Sequence, residues 1–252
     1  MEERITSRKN PLIMQVRRLL TSRAAREEAG LFVSDGTKLL EEAVRFCPGL
    51  DTVILSDGVE ASVPENVRLV RVPEDVMASV SPMSSPQGAL FLCRFPPKKP
   101  YVPCPGTVLL DGIQDPGNLG TILRTADALN VPVILLEGCA DPYSHKVVRS
   151  SMGAVFRTPP VSLTWEAARN TLHTAKIPIA ATAMDERAGD IRTRQPEKLA
   201  VVIGSEGRGV RPEILSQAEQ TLIIPMTPHC ESLNAAIAAA IVMWQMGKTG
   251  NL

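Results

Sequence analysis

The sequence lacks net charge, long apolar runs and closely spaced cysteines, and each absence excludes a class of protein. Its 27 basic and 27 acidic residues cancel, so bulk electrostatics do not indicate a nucleic-acid-binding protein. No apolar stretch is long enough to cross a bilayer, and the N-terminal MEERITSRKN has no apolar run typical of a signal peptide. We therefore expect neither a membrane-spanning nor a secreted protein.

Cysteines are few and far apart in the chain (Cys47, Cys93, Cys104, Cys139 and Cys230). None belongs to a CxxC pair or lies beside a histidine cluster, which argues against a zinc site and against a disulfide framework. Isolated thiols fit a reducing compartment. The sequence thus predicts a cytoplasmic protein that needs no metal.

One proline-rich segment divides the chain. The stretch FPPKKPYVPCP at 95–105 places five prolines in eleven positions, and proline fixes φ, removes an N–H donor and restricts the preceding residue. Such a stretch is typical of a stiff, extended linker. The 252 residues also exceed the usual single-domain length of ~100–150 residues. We predict a first domain at 1–95, a linker at 96–105 and a second domain at 106–252.

The first domain is predicted to be a small α/β module. Asn10 and Pro11 are typical of a helix N-cap and first helical residue, and apolar residues follow at helical spacing. A second helix is indicated around 39–44. Strands are predicted at 52–56, 67–72 and 88–95.

Seven basic residues and no acidic one lie between Arg4 and Arg26. Such a run is typical of a surface that contacts a phosphate backbone, and it is equally typical of a solvated helix face. Both interpretations stay open on the sequence alone.

Apolar strands and helical patterns alternate through the second domain, which predicts a largely parallel α/β sheet. The predicted strands are 107–113, 131–137, 178–184, 199–204 and 221–226. The predicted helices are 117–130, 144–153, 165–175, 211–219 and 231–247.

Three loops that follow predicted strands carry unusual residues, and ligands of open α/β sheets bind at such loops. The first, DGIQDPGNLGTILRTADAL at 111–129, contains Asn118 and Arg124. Arg124 lies among apolar residues, where a guanidinium needs a partner. The candidates are a structural carboxylate, Asp127 or Asp111, and a ligand phosphate.

The second loop, VVIGSEGRGV at 201–210, places three glycines and Glu206 directly after a strand. Glycine allows close backbone approach and positive φ. The GxxGxG spacing is neither a dinucleotide fingerprint nor a Walker A loop. A plain tight turn and a ligand-binding loop both fit this stretch.

The third loop leads into IPMTPHCESLNAAIAAAI at 224–241, where Glu231, Ser232 and Asn234 are predicted to form the first turn of a buried helix. Ser and Asn are common N-caps, and a negative charge suits a helix N-terminus. Unpaired N–H groups at such a start can also bind ligand oxygens.

Together and in this order, NLGTILRTADAL, VVIGSEGRGV and IPMTPHCESLNAAIAAAI resemble the three motifs of the SpoU-type RNA 2′-O-ribose methyltransferases. RKNPLIMQVRRLL and LFVSDGTKLLEEAV resemble the family's RNA-binding extension, a small α/β L30e-like domain, with Asp35 where members more often carry Glu. The resemblance implies an α/β methyltransferase domain that binds S-adenosylmethionine in a trefoil knot of its parallel sheet. It also implies a homodimer with the final helix near the interface.

The resemblance assigns functional residues as well. It places five residues in the active site: Asn118, Arg124, Glu206, Ser232 and Asn234. It assigns five to cofactor binding: Thr182, Gly204, Gly207, Ile224 and Leu233. It assigns Arg149, in HKVVRSSMGAVF, to the placement of RNA. The basic run described above adds four candidate RNA-binding residues: Arg8, Lys9, Arg17 and Arg18. The chain departs from the family at Pro228, where members commonly carry Gly.

The implied reaction is methylation of a ribose 2′-hydroxyl in structured RNA, with ribosomal RNA preferred to transfer RNA. A guanidinium does not readily lose a proton in proteins, so we interpret Arg124 as an electrostatic clamp on a phosphate or developing alkoxide. Glu206 would orient Asn118 or Arg124. Two alternatives stay open: an RNA-binding protein of the same fold without catalysis, and a small-molecule methyltransferase.

Overall fold

A computed structural model describes residues 3–97, 100–185, 188–227, 229–230 and 232–247. The chain forms two compact units. One comprises Met1–Lys98 and Asp141–Pro159, and the other comprises Lys99–Ala140 and Pro160–Leu252. None of the described helices is long and apolar enough to span a membrane.

The first unit is built on a five-stranded mixed sheet in the order β1-β4-β3-β5-β2. Strands β1, β4 and β3 run parallel, whereas β5 is antiparallel to both β3 and β2. The elements up to the linker are β1 (Glu3–Arg4), α1 (Pro11–Thr21), α2 (Arg23–Ala29), β2 (Leu31–Asp35), α3 (Thr37–Phe46), β3 (Leu50–Ser56), β4 (Arg68–Val72), α4 (Glu74–Val80) and β5 (Ala89–Arg94).

Helix α1 begins where the sequence predicts. Asn10 caps it by accepting a hydrogen bond from the Leu12 N–H at 2.9 Å, and Pro11 occupies its first position. Ile13 and Val16 are fully buried on its inner face, in the core that α1 and α4 form with the sheet. The predicted α/β module of the first domain is thus confirmed.

The second unit is built on a seven-stranded sheet in the order β10-β12-β9-β11-β6-β7-β8, with every pairing parallel. From the linker onward, the elements of the chain are β6 (Thr107–Asp111), α5 (Pro116–Ala128), β7 (Val133–Leu135), α6 (His145–Ser150), α7 (Ala154–Arg157), β8 (Val161–Ser162), α8 (Trp165–Thr174), β9 (Ile179–Thr182), β10 (Gly189–Asp190), β11 (Ala200–Gly204), α9 (Pro212–Leu215), β12 (Gln220–Ile223) and α10 (Ala235–Gly247). The prediction of a largely parallel α/β sheet is confirmed.

Three predicted helices differ from the observed ones. The helix predicted at 211–219 is reduced to α9, Pro212–Leu215. The helix predicted at 144–153 is interrupted after α6, because Met152 and Gly153 adopt φ of 49° and 85°. The final helix begins at Ala235 rather than at Glu231, and Glu231 lies outside the described residues. Ser232 and Asn234 therefore precede the helix instead of forming its first turn.

Residues 141–159, which carry α6 and α7, belong to the first unit although the predicted second domain includes them. Arg26 is buried and donates hydrogen bonds to Asp141 at 2.6 and 2.9 Å. The Tyr143 ring lies 5.0 Å from that of Phe32 and 4.9 Å from that of Phe95. An ion pair and an aromatic cluster thus tie the segment to residues far away in sequence.

Candidate active site

The carboxyl ends of neighbouring parallel strands bring the predicted motifs together. Strands β6 and β11 pair in register, with Gly204 opposite Asp111. The first and second loops therefore leave the sheet side by side. The third segment follows β12, which pairs with β9. Strand β12 is therefore two positions away from β11 in the sheet.

The glycine-rich loop closes on itself as a tight turn. Ser205 and Gly209 exchange two backbone hydrogen bonds of 3.2 and 2.8 Å, and Gly209 has φ of 67°. A Cβ on Gly204 would lie 2.0 Å from the carbonyl carbon of Gly209 and 2.1 Å from the nitrogen of Val210. The turn itself therefore requires glycine at 204 and favours it at 209, and it carries Glu206 at its tip.

Three predicted site residues, one from each motif, form a single hydrogen-bonded cluster. Oε1 of Glu206 accepts hydrogen bonds from Nδ2 of Asn118 at 2.5 Å and from Nδ2 of Asn234 at 2.6 Å. The Asn234 amide also donates to Oδ1 of Asn118 at 3.1 Å. Glu206 thus orients both asparagine amides. Among the described residues, no hydrogen bond or ion pair joins Glu206 to Arg124.

Asn234 caps helix α10 while belonging to this cluster. Its Oδ1 accepts hydrogen bonds from the N–H groups of Ala236 at 2.9 Å and Ile237 at 3.2 Å. The Ala235 N–H donates to Oε1 of Glu206 at 3.2 Å. The helix start therefore fixes Asn234 and places the Glu206 carboxylate beside the positive end of the helix dipole.

Arg124 lies on the exposed face of α5, opposite the buried Ile122, Leu123 and Ala126. Among the described residues it makes no ion pair or hydrogen bond. Asp111, offered as its structural partner on sequence grounds, is bonded to Arg211 instead. The expectation of an apolar surrounding was wrong, because the helix turns this side chain away from the core.

A cleft of about 430 Å³ opens beside the cluster and is lined in part by Asn118, Glu206 and Ala235. Its wall contains an ion-pair network centred on Arg211. This guanidinium contacts the carboxylates of Asp111 at 2.7 Å, Glu137 at 3.0 Å and Glu213 at 3.0 Å.

Sequence reasoning did not single out Arg211, because its partners are 100 and 74 residues away. Burial opposes its charge, but the carboxylates of Glu137 and Asp111 outweigh that effect and raise the pKa of Arg211. Burial also opposes the charge of Glu137 and by itself would raise the pKa of this carboxyl group. Hydrogen bonds from backbone N–H groups and from Arg211 outweigh that effect and lower the pKa. The network joins Arg211 to residues far away in sequence, so it can be recognised only in the folded structure.

The residues assigned to cofactor binding lie at the same edge of the sheet. Thr182 and Gly204 end β9 and β11, and Ile224 directly follows β12. These strands are consecutive neighbours in the order β12-β9-β11. The Thr182 hydroxyl donates to the Val202 carbonyl at 3.1 Å.

Three further site candidates lie in exposed or half-buried positions. Gly207 is exposed at the tip of the turn, and no atom of the described residues lies within 4 Å of a Cβ built on it. Ser232 is exposed and Leu233 half-buried in the segment before α10. Pro228, whose effect on this loop the sequence leaves open, lies outside the described residues.

Much of the basic run in the first unit is neutralised. Arg8 pairs with Asp75 at 2.7 Å, and Arg18 pairs with Glu28 at 2.8 Å. Arg26 is buried against Asp141, so it is a structural residue rather than part of a phosphate-binding surface. Arg17 instead donates to the hydroxyl of Ser79 at 2.9 Å.

Arg149, assigned to RNA placement, pairs with Asp35 at 3.1 Å within the first unit. Burial raises the pKa of the Asp35 carboxyl, and the Arg149 guanidinium partly offsets this effect. In the described part of the chain, no group of three or more His, Cys, Asp or Glu side chains has a metal-binding arrangement.

Two family models match the chain. Residues 105–244 match the SpoU rRNA Methylase family, and residues 10–90 match the MRM3-like substrate binding domain. The first match covers more than half of the chain and contains the cluster, the cleft and the glycine-rich turn.

Relatives are similar over almost the full length. A Bacillus subtilis protein named 23S rRNA (guanosine(2553)-2′-O)-methyltransferase RlmP is 30% identical, over 97% of this chain and 99% of its own. The mouse rRNA methyltransferase 3, mitochondrial, is 29% identical, over 92% of this chain and 71% of its own. An AdoMet-bound rRNA methyltransferase from Sinorhizobium meliloti shares 30% identity and superposes with a TM-score of 0.85, covering 97% of both chains.

Proposed function

The chain belongs to the SpoU rRNA methylase family, and from this premise we propose that it methylates a ribose 2′-hydroxyl of ribosomal RNA. The observation that carries the proposal is the cluster of Asn118, Glu206 and Asn234 beside a cleft. Similar proteins named as rRNA methyltransferases support the choice of substrate.

In this proposal the two asparagines position the reacting groups without adding charge. An amide has two N–H donors and an oxygen that accepts two hydrogen bonds. Asn118 gives one N–H to Glu206 and accepts one hydrogen bond from Asn234, so it keeps one donor and one acceptor position for a ribose hydroxyl. Asn234 donates to Glu206 and Asn118 and accepts from two N–H groups of α10, so it would hold Asn118 in place. The carboxylate would keep the two amides in a fixed orientation, which lowers the cost of aligning the substrate. Ser232, exposed just before Asn234, would contribute a hydroxyl to the same site.

Arg124 would act electrostatically on the RNA. Because it is exposed and makes no ion pair among the described side chains, its guanidinium is available to a phosphate or a developing alkoxide. The hydroxyl proton would pass to a phosphate oxygen or to water.

The residues present fit S-adenosylmethionine as the cofactor. Thr182, Gly204 and Ile224 meet at the carboxyl ends of three adjacent parallel strands, where ligands bind in open α/β sheets. Together with Gly207 and Leu233, they would hold the cofactor, mainly through their backbone. When bound, S-adenosylmethionine supplies an electrophilic methyl group, so the reaction needs no metal.

RNA would be held by basic residues of the first unit as well. Among Arg8, Lys9, Arg17, Arg18 and Arg149, we rank Lys9 and Arg17 first, because neither makes an ion pair among the described residues. Lys9 is exposed, and Arg17 contacts the neutral hydroxyl of Ser79 and the sulfur of Met14. Arg17 also lines a groove of about 810 Å³ within this unit, with Met14 and His145. Imidazole and guanidinium groups can stack on unpaired RNA bases, so the groove would suit a single-stranded segment.

We further propose a homodimer, a trefoil knot around the cofactor and a cytoplasmic location. Helix α10 exposes 52% of Ile237 and 59% of Trp244 on the face opposite its buried side, and an apolar patch of this kind suits an interface between subunits. The knot rests on family membership. The cytoplasmic location rests on the free thiols of all five cysteines.

A paired binding and transfer experiment tests the proposal. Isothermal titration should show binding of S-adenosylmethionine, and tritiated methyl should pass to hypomethylated ribosomal RNA. Binding without transfer to any RNA pool would favour a catalytically silent RNA-binding protein, and transfer only to transfer RNA would correct the substrate.

A further inference from the structure

The turn that carries Glu206 is attached to the sheet at both ends through one residue, Asp111. At its first end, Gly204 lies opposite Asp111 in the β11–β6 pairing. At its second end, Arg211 donates its backbone N–H to one oxygen of Asp111 at 2.8 Å and its Nε to the other at 2.7 Å. Asp111 thus lies at both ends of the loop from 204 to 211, through strand pairing at the first end and through its carboxylate at the second.

The Asp111 end of this attachment is buried, whereas the Arg211 side chain is 37% exposed. The Asp111 side chain is 1% exposed, so removing the guanidinium would leave a buried carboxylate with only a backbone donor, which is costly. The remaining nitrogens of Arg211 contact Glu137 and Glu213. A guanidinium engaged by three carboxylates is not free to bind an RNA phosphate, although Arg211 lines the cleft.

We propose that Arg211 is a positioning residue for the reaction, acting through Asp111 to hold Glu206 and, through Glu206, the amides of Asn118 and Asn234. The inference rests on the proposed methyltransferase function. It adds a residue that lies outside the three motifs' predicted site and does not touch the reacting atoms.

The chain of contacts predicts how Arg211 variants behave. Arg211→Met in the full-length protein should lower kcat by about 10- to 100-fold, the scale expected when a catalytic group is misplaced by about 1 Å. The RNA KM and the affinity for S-adenosylmethionine should change little, because Arg211 would contact neither ligand. Arg211→Lys should restore only part of kcat, since an ammonium cannot reach Asp111 and Glu137 with the planar fork of arginine.

A double-mutant cycle separates this role from a purely structural one. If Arg211 acts through Glu206, the Arg211→Met/Glu206→Gln protein should be no slower than the slower single variant, because residues that act as a unit are non-additive. Arg169→Met, on the exposed surface of α8, is the matched control. Melting temperatures measured on all variants show whether each one is folded.

Three results would overturn the inference: kcat unchanged in Arg211→Met, losses of the two single variants that multiply in the double variant, or a loss confined to the RNA KM. If Arg211→Met does not fold, the same cycle is run with Arg211→Lys. A wild-type protein that transfers no methyl would instead reject the proposed function, so the two failures are distinguishable.

Discussion

Glu206 accepts three hydrogen bonds through one carboxylate oxygen, from Asn118, Asn234 and the backbone of Ala235. It thereby joins residues that lie 88 and 28 positions away in the chain. The motif resemblance predicted these three side chains as a group. The structure shows which groups donate to which: of the two predicted partners of Glu206, Asn118 is bonded to it, and no hydrogen bond or ion pair joins it to Arg124 among the described residues.

Replacing Glu206 with Gln should lower kcat by about 10- to 100-fold, because a neutral amide binds the two asparagines more weakly and allows them to reorient. Steady-state transfer of labelled methyl to ribosomal RNA measures this loss. Glu166→Gln, the same change on the exposed surface of α8, is the control. Wild-type turnover and cofactor affinity in Glu206→Gln would exclude an orienting role.

Arg124→Lys should also lose most of its turnover, because lysine keeps the charge but lacks the planar fork that binds two oxygens of a phosphate at once. The pH profile of kcat/KM gives the sharper measurement. We expect a uniform loss without a new ionisation between pH 6 and pH 9. A lysine variant that keeps most of its activity across this range would contradict bidentate clamping.

For the strands and helices, the sequence predicts where each element lies better than it predicts which residues contact it. Near-continuous apolar runs located five of the seven strands of the parallel sheet, since burial on both faces produces such runs. The two-residue strands β8 and β10 are too short to give such a run. The environment of Arg124 could not be predicted in this way, because its apolar neighbours in sequence lie on the other side of α5. The Arg211–Asp111 pair was missed because residues 100 positions apart show no periodicity.

The close packing of the glycine-rich turn predicts the effect of a substitution at Gly204. A methyl group at position 204 would collide with the backbone of Gly209 and Val210, which cannot move aside without opening the turn. Overpacking of this kind costs about 1–3 kcal/mol or more, so Gly204→Ala should lower the melting temperature by several degrees.

Gly207→Ala is the matched control for this measurement, since nothing lies within 4 Å of the added Cβ. Its melting temperature should stay near that of the wild type. Equal melting temperatures for Gly204→Ala and the wild type would show that the close approach of the turn is not a constraint.

For the whole molecule, the division of the chain differs from what the linker suggests. The proline-rich segment marks one crossing between the units, but residues 141–159 return to the first unit. The Arg26–Asp141 ion pair joins residues 115 positions apart, so composition could not reveal it. Deleting 1–95 to test RNA specificity would therefore remove the packing partners of this segment, and point variants are preferable.

Assembly gives the prediction for the whole molecule. Trp244→Glu should convert the proposed dimer to a monomer, because a charge in an apolar interface lacks a partner. Light scattering coupled to size exclusion measures the mass directly. Ala167→Glu, on the exposed face of α8, should stay dimeric. A wild-type protein of monomeric mass, or a Trp244→Glu variant of unchanged dimeric mass, would reject this interface.

In the proposed function, the cluster of Asn118, Glu206 and Asn234 directs a methyl group to a ribose hydroxyl. Nucleoside mass spectrometry of hypomethylated ribosomal RNA, incubated with the protein and methyl-labelled S-adenosylmethionine, tests it most directly. We predict label in a single 2′-O-methylated nucleoside with the wild-type protein, and little or none with Asn118→Ala. Label on a base, or undiminished ribose methylation by Asn118→Ala, would contradict the account.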